Sequence, residues 1–134
     1  MTKILVADDE ADLETLIRQK FRQKIREDQY QFVFAVNGND ALKKMQEHPD
    51  VSVILTDINM PEMDGLTLLG KLNETAPMTK TVMVSAYGDM DNIRTAMNRR
   101  DLRTNSFAGL KTRFSTMLDS MCLLIGKGIG DWKK

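Results

Sequence analysis

Short apolar runs alternate with longer amphipathic segments over the first hundred residues of the chain. Four runs have the length of a strand and are rich in β-branched or aromatic residues: Lys3–Ala7, Gln31–Val36, Val51–Thr56 and Thr81–Ser85. Between these runs, apolar residues recur at helical spacing, which predicts four helices. They cover Asp12–Ile25, Ala41–Gln46, the segment after Asp64-Gly65, and the segment from Asp89 or Asp91 to Met97.

Strands that are apolar on both faces and separated by helices indicate a parallel sheet. Right-handed crossovers then give a doubly wound, flavodoxin-like α/β fold with strand order 2-1-3-4 and any fifth strand beside the fourth. The alternation breaks after Arg99, because residues 100–105 contain no apolar strand. We therefore expect an α/β core over residues 1–99, with a fifth strand weak or missing. Residues 100–134 form an atypical tail with an amphipathic helix over about 107–125.

Composition and charge narrow the class of protein. The chain has 134 residues, of which 42% are hydrophobic and 28% charged, as is typical of a globular domain. No apolar run is long enough to cross a membrane, and the single Cys122 cannot form an internal disulfide, so we expect a cytoplasmic protein. Residues 1–98 carry 11 basic and 16 acidic side chains, whereas residues 99–134 carry 8 and 3. The basic tail forms no dense run, so we expect no direct binding of nucleic acid.

Three aspartates follow two strands that the predicted order makes neighbours. Asp8 and Asp9 come after the first strand, and Asp57 comes after the third. The carboxyl ends of these strands flank the crevice in which such folds bind ligands. Clustered carboxylates repel one another unless a cation neutralises them, and hard oxygen ligands suit Mg²⁺. The sequence therefore predicts an Mg²⁺ site formed by Asp8, Asp9 and Asp57.

A bound Mg²⁺ ion favours phosphoryl transfer, in which one carboxylate acts as the nucleophile. Asp57 is the predicted nucleophile, since Asp8 and Asp9 are placed as a metal-binding pair. We expect the backbone carbonyl of Asn59, two residues further on, to reach the same ion, and Ser85, at the end of the fourth strand, to bring a hydroxyl to the phosphoryl group. Structural interpretations exist for single aspartates: Asp9 could cap the first helix, and Asp64 is expected to cap the third.

Four segments resemble response-regulator receiver domains, and the resemblance covers residues 1–99. They are Asp8-Asp9-Glu10, Asn37-Gly38 followed by Ala41-Leu42, the segment from Leu55 to Gly65, and Val84-Ser85-Ala86-Tyr87. The resemblance implies that Asp57 takes a phosphoryl group from the phosphohistidine of a sensor histidine kinase or a phosphotransfer protein. It also implies that the phosphoryl group draws Ser85 inward and shifts a two-state equilibrium.

The tail departs from that family. The family usually has an apolar fifth strand ending in Lys-Pro, whose lysine pairs with the aspartyl phosphate, but this chain has no lysine between Lys80 and Lys111. Two explanations compete. The tail is either a natural divergence or foreign to the fold, for example the product of a reading-frame change. The abrupt shift in charge and hydrophobic pattern after Arg99 favours the second explanation. The helix over about 107–125 then needs a surface to cover, either in place of a fifth helix or on a partner subunit, which gives a homodimer.

Three other functions are consistent with parts of the sequence. Asp57 with Asn59 resembles the Asp-x-Asp of haloacid-dehalogenase-like phosphatases, but the second acid is absent, and we expect no enzyme. A flavin- or nucleotide-binding module would need glycines in the first strand-to-helix turn, which is acidic here. The leading alternative is an interaction module that keeps the receiver fold but has an impaired or absent phosphorylation switch.

Overall fold

Strands and helices alternate along the chain as the hydrophobic pattern predicts. The computed structural model describes residues 2–57, 60, 62–85, 90–99 and 106–109. The strands in these ranges are β1 (Thr2–Ala7), β2 (Tyr30–Ala35), β3 (Val53–Asp57), β4 (Lys80–Ser85) and β5 (Ser106–Gly109). The helices are α1 (Ala11–Lys20), α2 (Arg22–Arg26), α3 (Gly38–Glu47), α4 (Gly65–Thr75) and α5 (Met90–Arg99).

The strands form one parallel sheet in the order β2-β1-β3-β4-β5. This confirms the predicted doubly wound architecture. In the register between β1 and β3, Ala7 lies opposite Thr56, so the two strands end at the same level. Their carboxyl ends therefore open onto the same edge of the sheet.

The fifth strand is short but present. Its four residues pair in parallel with β4, from Val82 opposite Ser106 to Ser85 opposite Gly109. Residues 107–109, which the sequence analysis assigned to the start of a helix, are therefore in a strand. The backbone groups at the edge of β4 supply a pairing partner that local apolar spacing does not reveal. Residues 110–125 lie outside the described residues, so the rest of that helix and a homodimer formed through it stay predictions, as does the division of the chain at residue 99.

The core consists of two clusters, one on each face of the sheet. Because successive strand residues point to opposite faces, Ile4 and Val6 belong to the first cluster, whereas Leu5 and Ala7 belong to the second. The first cluster is covered by α1 through Leu13 and Ile17, and it continues into an aromatic group of Phe21, Tyr30 and Phe32. The second is covered by α3 and α4, through Ala41, Leu68 and Leu72.

Side-chain caps fix where two helices begin. The Asn37 side chain accepts a hydrogen bond from the Asp40 amide, which starts α3 three residues before the predicted Ala41. Asp64 accepts from the Thr67 amide at 2.7 Å, confirming its predicted role as the cap of α4. The helix predicted over Asp12–Ile25 is interrupted at Phe21, although hydrogen bonds continue through that residue. None of the helices in the described ranges is long and apolar enough to span a bilayer.

Candidate metal centre at the carboxyl ends of the strands

Asp8 and Asp57 are brought together by the pairing of β1 with β3. Asp57 is the last residue of β3, and Asp8 directly follows β1. Since Ala7 is level with Thr56, the next residues along the two strands are Asp8 and Asp57. The backbone of Asp8 is held from the other side as well, because its amide donates to the Ala35 carbonyl at the end of β2, at 3.0 Å. The topology thus places these two carboxylates at the centre of the sheet edge.

Asp9 completes a group of three carboxylates. One oxygen from each of Asp8, Asp9 and Asp57 can be chosen so that all three lie within 4.8 Å of one another. Asp8 and Asp57 are half-buried, whereas Asp9 is exposed to solvent. Asp9 does not cap α1: the capping position is Glu10, whose side chain makes no capping hydrogen bond. The structure therefore brings together the three aspartates that the sequence analysis singled out.

The electrostatics of Asp8 show how unfavourable three adjacent negative charges are. The pKa of Asp8 rises from 3.8 to about 7, mainly because of burial and to a smaller extent because of the nearby carboxylates of Asp57, Asp9 and Glu10. A hydrogen bond from the Glu10 amide to Asp8 Oδ1, 2.9 Å long, opposes this rise. Near neutral pH, a proton or a cation is therefore needed to offset the charge.

The donor set fits a divalent cation of the Mg²⁺ type. All three groups supply hard carboxylate oxygens, and Mg²⁺ uses few protein ligands while keeping several waters. Asp9 is exposed, so solvent reaches the group at this residue. Chemically, such an arrangement can bind a cation and direct one carboxylate at an electrophile that the cation also binds.

Two further predicted site residues are covered less fully. Asn59 lies outside the described residues, so its carbonyl stays a predicted ligand. Ser85 ends β4 one residue beyond Val84, which lies opposite Asp57 in the register. The backbone thus carries Ser85 to the same edge of the sheet as Asp57, and the role of its hydroxyl stays a prediction. β5 contains no lysine, and Lys111 is the first lysine after it in the sequence.

The contacts that Glu62 and Met63 make after β3 were not predicted from the sequence. Asn37 Nδ2 donates to Glu62 Oε2 at 3.2 Å, and the side chain of Met63 lies directly against Gly38. Met60 is buried among core residues of the second cluster. No pattern in the sequence links Asn37 to Glu62, which is 25 positions away.

Comparison with known proteins decides the family. The family profile described as the response regulator receiver domain matches residues 4–101. The chain belongs to the response regulator receiver family. The chemotaxis protein CheY of Listeria monocytogenes is 34% identical over 101 residues, which cover 74% of this chain and 80% of that protein. Sporulation initiation phosphotransferase F of Bacillus subtilis is 31% identical over 93 residues, which cover 69% and 70% of the two chains.

Solved structures show the same receiver fold. The response regulator protein TrrA of Thermotoga maritima, solved in complex with Mg(2+)-BeF, matches with a TM-score of 0.68 and 24% identity. The match covers 93% of this chain and all of that one. A receiver domain from a Francisella response regulator matches with a TM-score of 0.69 and 22% identity, over 95% of this chain and 98% of the other. At these identities the solved structures establish the fold only. The candidate metal site therefore rests on this chain's own Asp8, Asp9 and Asp57.

Proposed function

We propose that this receiver domain accepts a phosphoryl group on Asp57 from the phosphohistidine of a sensor histidine kinase or a phosphotransfer protein. The observation that carries the proposal is the convergence of Asp8, Asp9 and Asp57 within 4.8 Å at the carboxyl ends of two adjacent strands. Family membership supports it, and one relative is named as a phosphotransferase. The single Cys122 is consistent with our proposal that the exchange takes place in the cytoplasm.

The proposed step is a displacement at phosphorus. A carboxylate oxygen of Asp57 forms a bond to the phosphorus atom, and the bond from phosphorus to the donor's histidine nitrogen breaks. The electron pair of that bond stays on the imidazole nitrogen, and a proton taken up from solvent leaves a neutral histidine. The product on this chain is an acyl phosphate, so the domain carries the group without catalysing turnover of a substrate.

Asp8, Asp9 and Asp57 would hold the Mg²⁺ ion, together with the backbone carbonyl of Asn59. When bound, the ion neutralises the negative charge that builds up on the phosphoryl oxygens during transfer. Asp8 and Asp9 serve as ligands, since both belong to the turn that follows β1. Asp57 is the nucleophile, since it ends β3 at the centre of the sheet edge. The relative TrrA was solved with Mg(2+)-BeF, which supports this ion for this chain.

We expect Ser85 to contact the phosphoryl group on Asp57 from the neighbouring strand β4. β4 ends at Ser85, beside the strand that carries Asp57. A hydroxyl at this position can donate a hydrogen bond to a phosphoryl oxygen. Phosphorylation would therefore favour the Ser85 conformer that makes this bond, whereas the unmodified protein has no such preference. Partner proteins would bind the two states differently.

The alternative function is an interaction module with an impaired or absent phosphorylation switch. Its premise that strand five is missing does not hold, because β5 pairs with β4. Its second premise remains, because no lysine stands in β5. Labelling of Asp57 would reject a module without phosphorylation, whereas labelling without any change in partner binding would favour an uncoupled switch.

Acetyl phosphate, a small phosphoryl donor, tests the proposal without a cognate kinase. The full chain is incubated with acetyl phosphate and Mg²⁺ and weighed by intact-mass spectrometry. We expect one phosphoryl adduct on the parent and none on Asp57→Asn. Asp50→Asn is the matched control, because Asp50 is exposed and paired with Lys3 near the amino end of β1; it should label like the parent. An unlabelled parent, under conditions that label an ordinary receiver domain, would reject the proposed function.

A further inference from the structure

The side-chain amide of Asn37 joins two segments that are far apart in sequence. Its Oδ1 accepts a hydrogen bond from the Asp40 amide at 2.8 Å, which caps α3. Its Nδ2 donates to Glu62 Oε2 at 3.2 Å, and Glu62 lies in the connection from Asp57 to α4. The Asn37 amide group thus contacts both the start of α3 and Glu62, which stands five residues after Asp57 in the sequence.

Glu62 adopts a backbone conformation that is unfavourable for a residue with a side chain. Its φ angle is 65°, in the left-handed region that disfavours residues with a Cβ atom. Such a conformation persists where its surroundings over-determine it. Here the surroundings are the hydrogen bond from Asn37 to Glu62, the contact of Met63 with Gly38, and the cap that Asp64 provides for α4.

The same end of β2 also holds the other half of the acidic site. Ala35, the last residue of β2, accepts a hydrogen bond from the Asp8 amide. Two residues later, Asn37 donates a hydrogen bond to Glu62. The short stretch from Ala35 to Asn37 therefore contacts both Asp8 and Glu62, which follows Asp57 in the chain. A shift of this stretch would act on both contacts together.

We infer that Asn37 is a positioning residue for the acidic site. Its Nδ2 group, by holding Glu62, fixes the connection that begins at Asp57, so that the carboxylate meets Asp8 and Asp9 at the distance needed for metal binding and phosphoryl transfer. The inference rests on the proposed function of Asp57. The positioning role belongs to Nδ2 of Asn37, which donates to Glu62. The Oδ1 atom only accepts the hydrogen bond that caps α3.

Asn37→Asp separates these two roles. Aspartate caps a helix as well as asparagine does, so the bond from the Asp40 amide is kept. The Nδ2 donor is replaced by a carboxylate oxygen that faces the Glu62 carboxylate, and the two carboxylates repel each other. Adding Glu62→Gln restores a hydrogen bond, because the glutamine amide at position 62 can donate to the aspartate at position 37. Asn39→Asp is the charge control, because it adds the same charge two positions along α3.

Four proteins are compared: the parent, Asn37→Asp, the double variant and Asn39→Asp. For each we would measure the rate of Asp57 labelling by acetyl phosphate, the Mg²⁺ dissociation constant by calorimetry, and the melting temperature. A displacement of 1 Å can cost about a hundredfold in rate, so for a smaller shift we expect Asn37→Asp to label about fivefold to tenfold more slowly. Its affinity for Mg²⁺ should fall with an unchanged melting temperature. The double variant should recover most of the rate, and Asn39→Asp should label like the parent.

Three results would overturn the positioning role: labelling of Asn37→Asp at the parent rate, equal slowing by Asn39→Asp, or no recovery in the double variant. In each of these the parent is still labelled, so the proposed function of Asp57 survives. If the parent itself takes no phosphoryl group, the proposed function fails first, and the positioning role falls with it.

Discussion

Gly38 and Met63 are packed so closely that no side chain fits at position 38. A Cβ atom placed on Gly38 would lie 2.6 Å from Met63 Cγ and 2.7 Å from Met63 Cβ. Real Cβ atoms do not approach other heavy atoms this closely, and Met63 Cβ, next to the backbone, has little freedom to move away. The first residue of α3 and the connection after Asp57 are therefore in direct contact through a glycine.

Gly38→Ala should destabilise the domain, although alanine is the better helix former. Helix propensity by itself predicts a gain, which is about 0.5–1 kcal/mol in a helix interior. Overpacking against Met63 predicts a loss of about 1–3 kcal/mol in the free energy of unfolding. We expect this loss to exceed the gain from helix propensity. Urea denaturation of the parent and the variant, both without Mg²⁺, gives the sign directly.

The contact can be isolated by adding Met63→Ala. In that background Gly38→Ala should cost at least about 0.5 kcal/mol less than in the parent, which is the coupling expected of two residues in contact. A stabilised Gly38→Ala protein, or the same cost in both backgrounds, would mean that the two residues do not restrain each other. The Asp57 labelling rates of the same proteins would show whether this restraint also reaches the site.

The sheet and the acidic group could be predicted because each depends on rules that act along the sequence. Ile54 and Leu5 are fully buried in strands that read as apolar runs. Parallel topology then brings the ends of β1 and β3 together, so Asp8 and Asp57 had to be neighbours once the strand order was known. Their roles as metal ligand and nucleophile were reasoned from chemistry and stay predictions.

What the sequence did not reveal depends on tertiary contacts. Ser106–Gly109 carries no apolar run, and it is a strand because β4 offers it an unpaired edge. The hydrogen bond from Asn37 to Glu62 spans 25 positions and follows no periodicity. The raised pKa of Asp8 comes mainly from burial, which the residue type does not indicate. Local patterns specify elements, whereas the restraints around the site arise only when the elements pack.

Asp9→Ala should weaken Mg²⁺ binding without unfolding the protein. Asp9 is exposed and lies within 4.8 Å of the other two carboxylates, so its loss removes a charged ligand and little packing. Even changes around metal ligands cost about tenfold to a hundredfold in affinity, so we expect a loss of at least about tenfold. Isothermal titration with MgCl₂ measures it. Asp12→Ala, an exposed acid in the first turn of α1, is the matched control, and equal affinity of Asp9→Ala and the parent would exclude Asp9 as a ligand.

The stability of the metal-free domain should fall as the pH rises towards neutrality. The pKa of Asp8 is about 7 in the folded chain against an ordinary 3.8, so between these values the folded state binds more protons than the unfolded state. The contribution of Asp8 is fully present below its unfolded pKa and is lost as the pH rises through about 7. Melting temperatures measured in a chelator from about pH 5 to about pH 8 should therefore decline by a few degrees more for the parent than for Asp8→Asn. Titrating groups that do not interact with Asp8 are common to both proteins and cancel in the difference. Saturating Mg²⁺ should remove the difference by replacing the proton. Parallel curves for the two proteins would show that the Asp8 carboxylate is ionised without cost in the folded state.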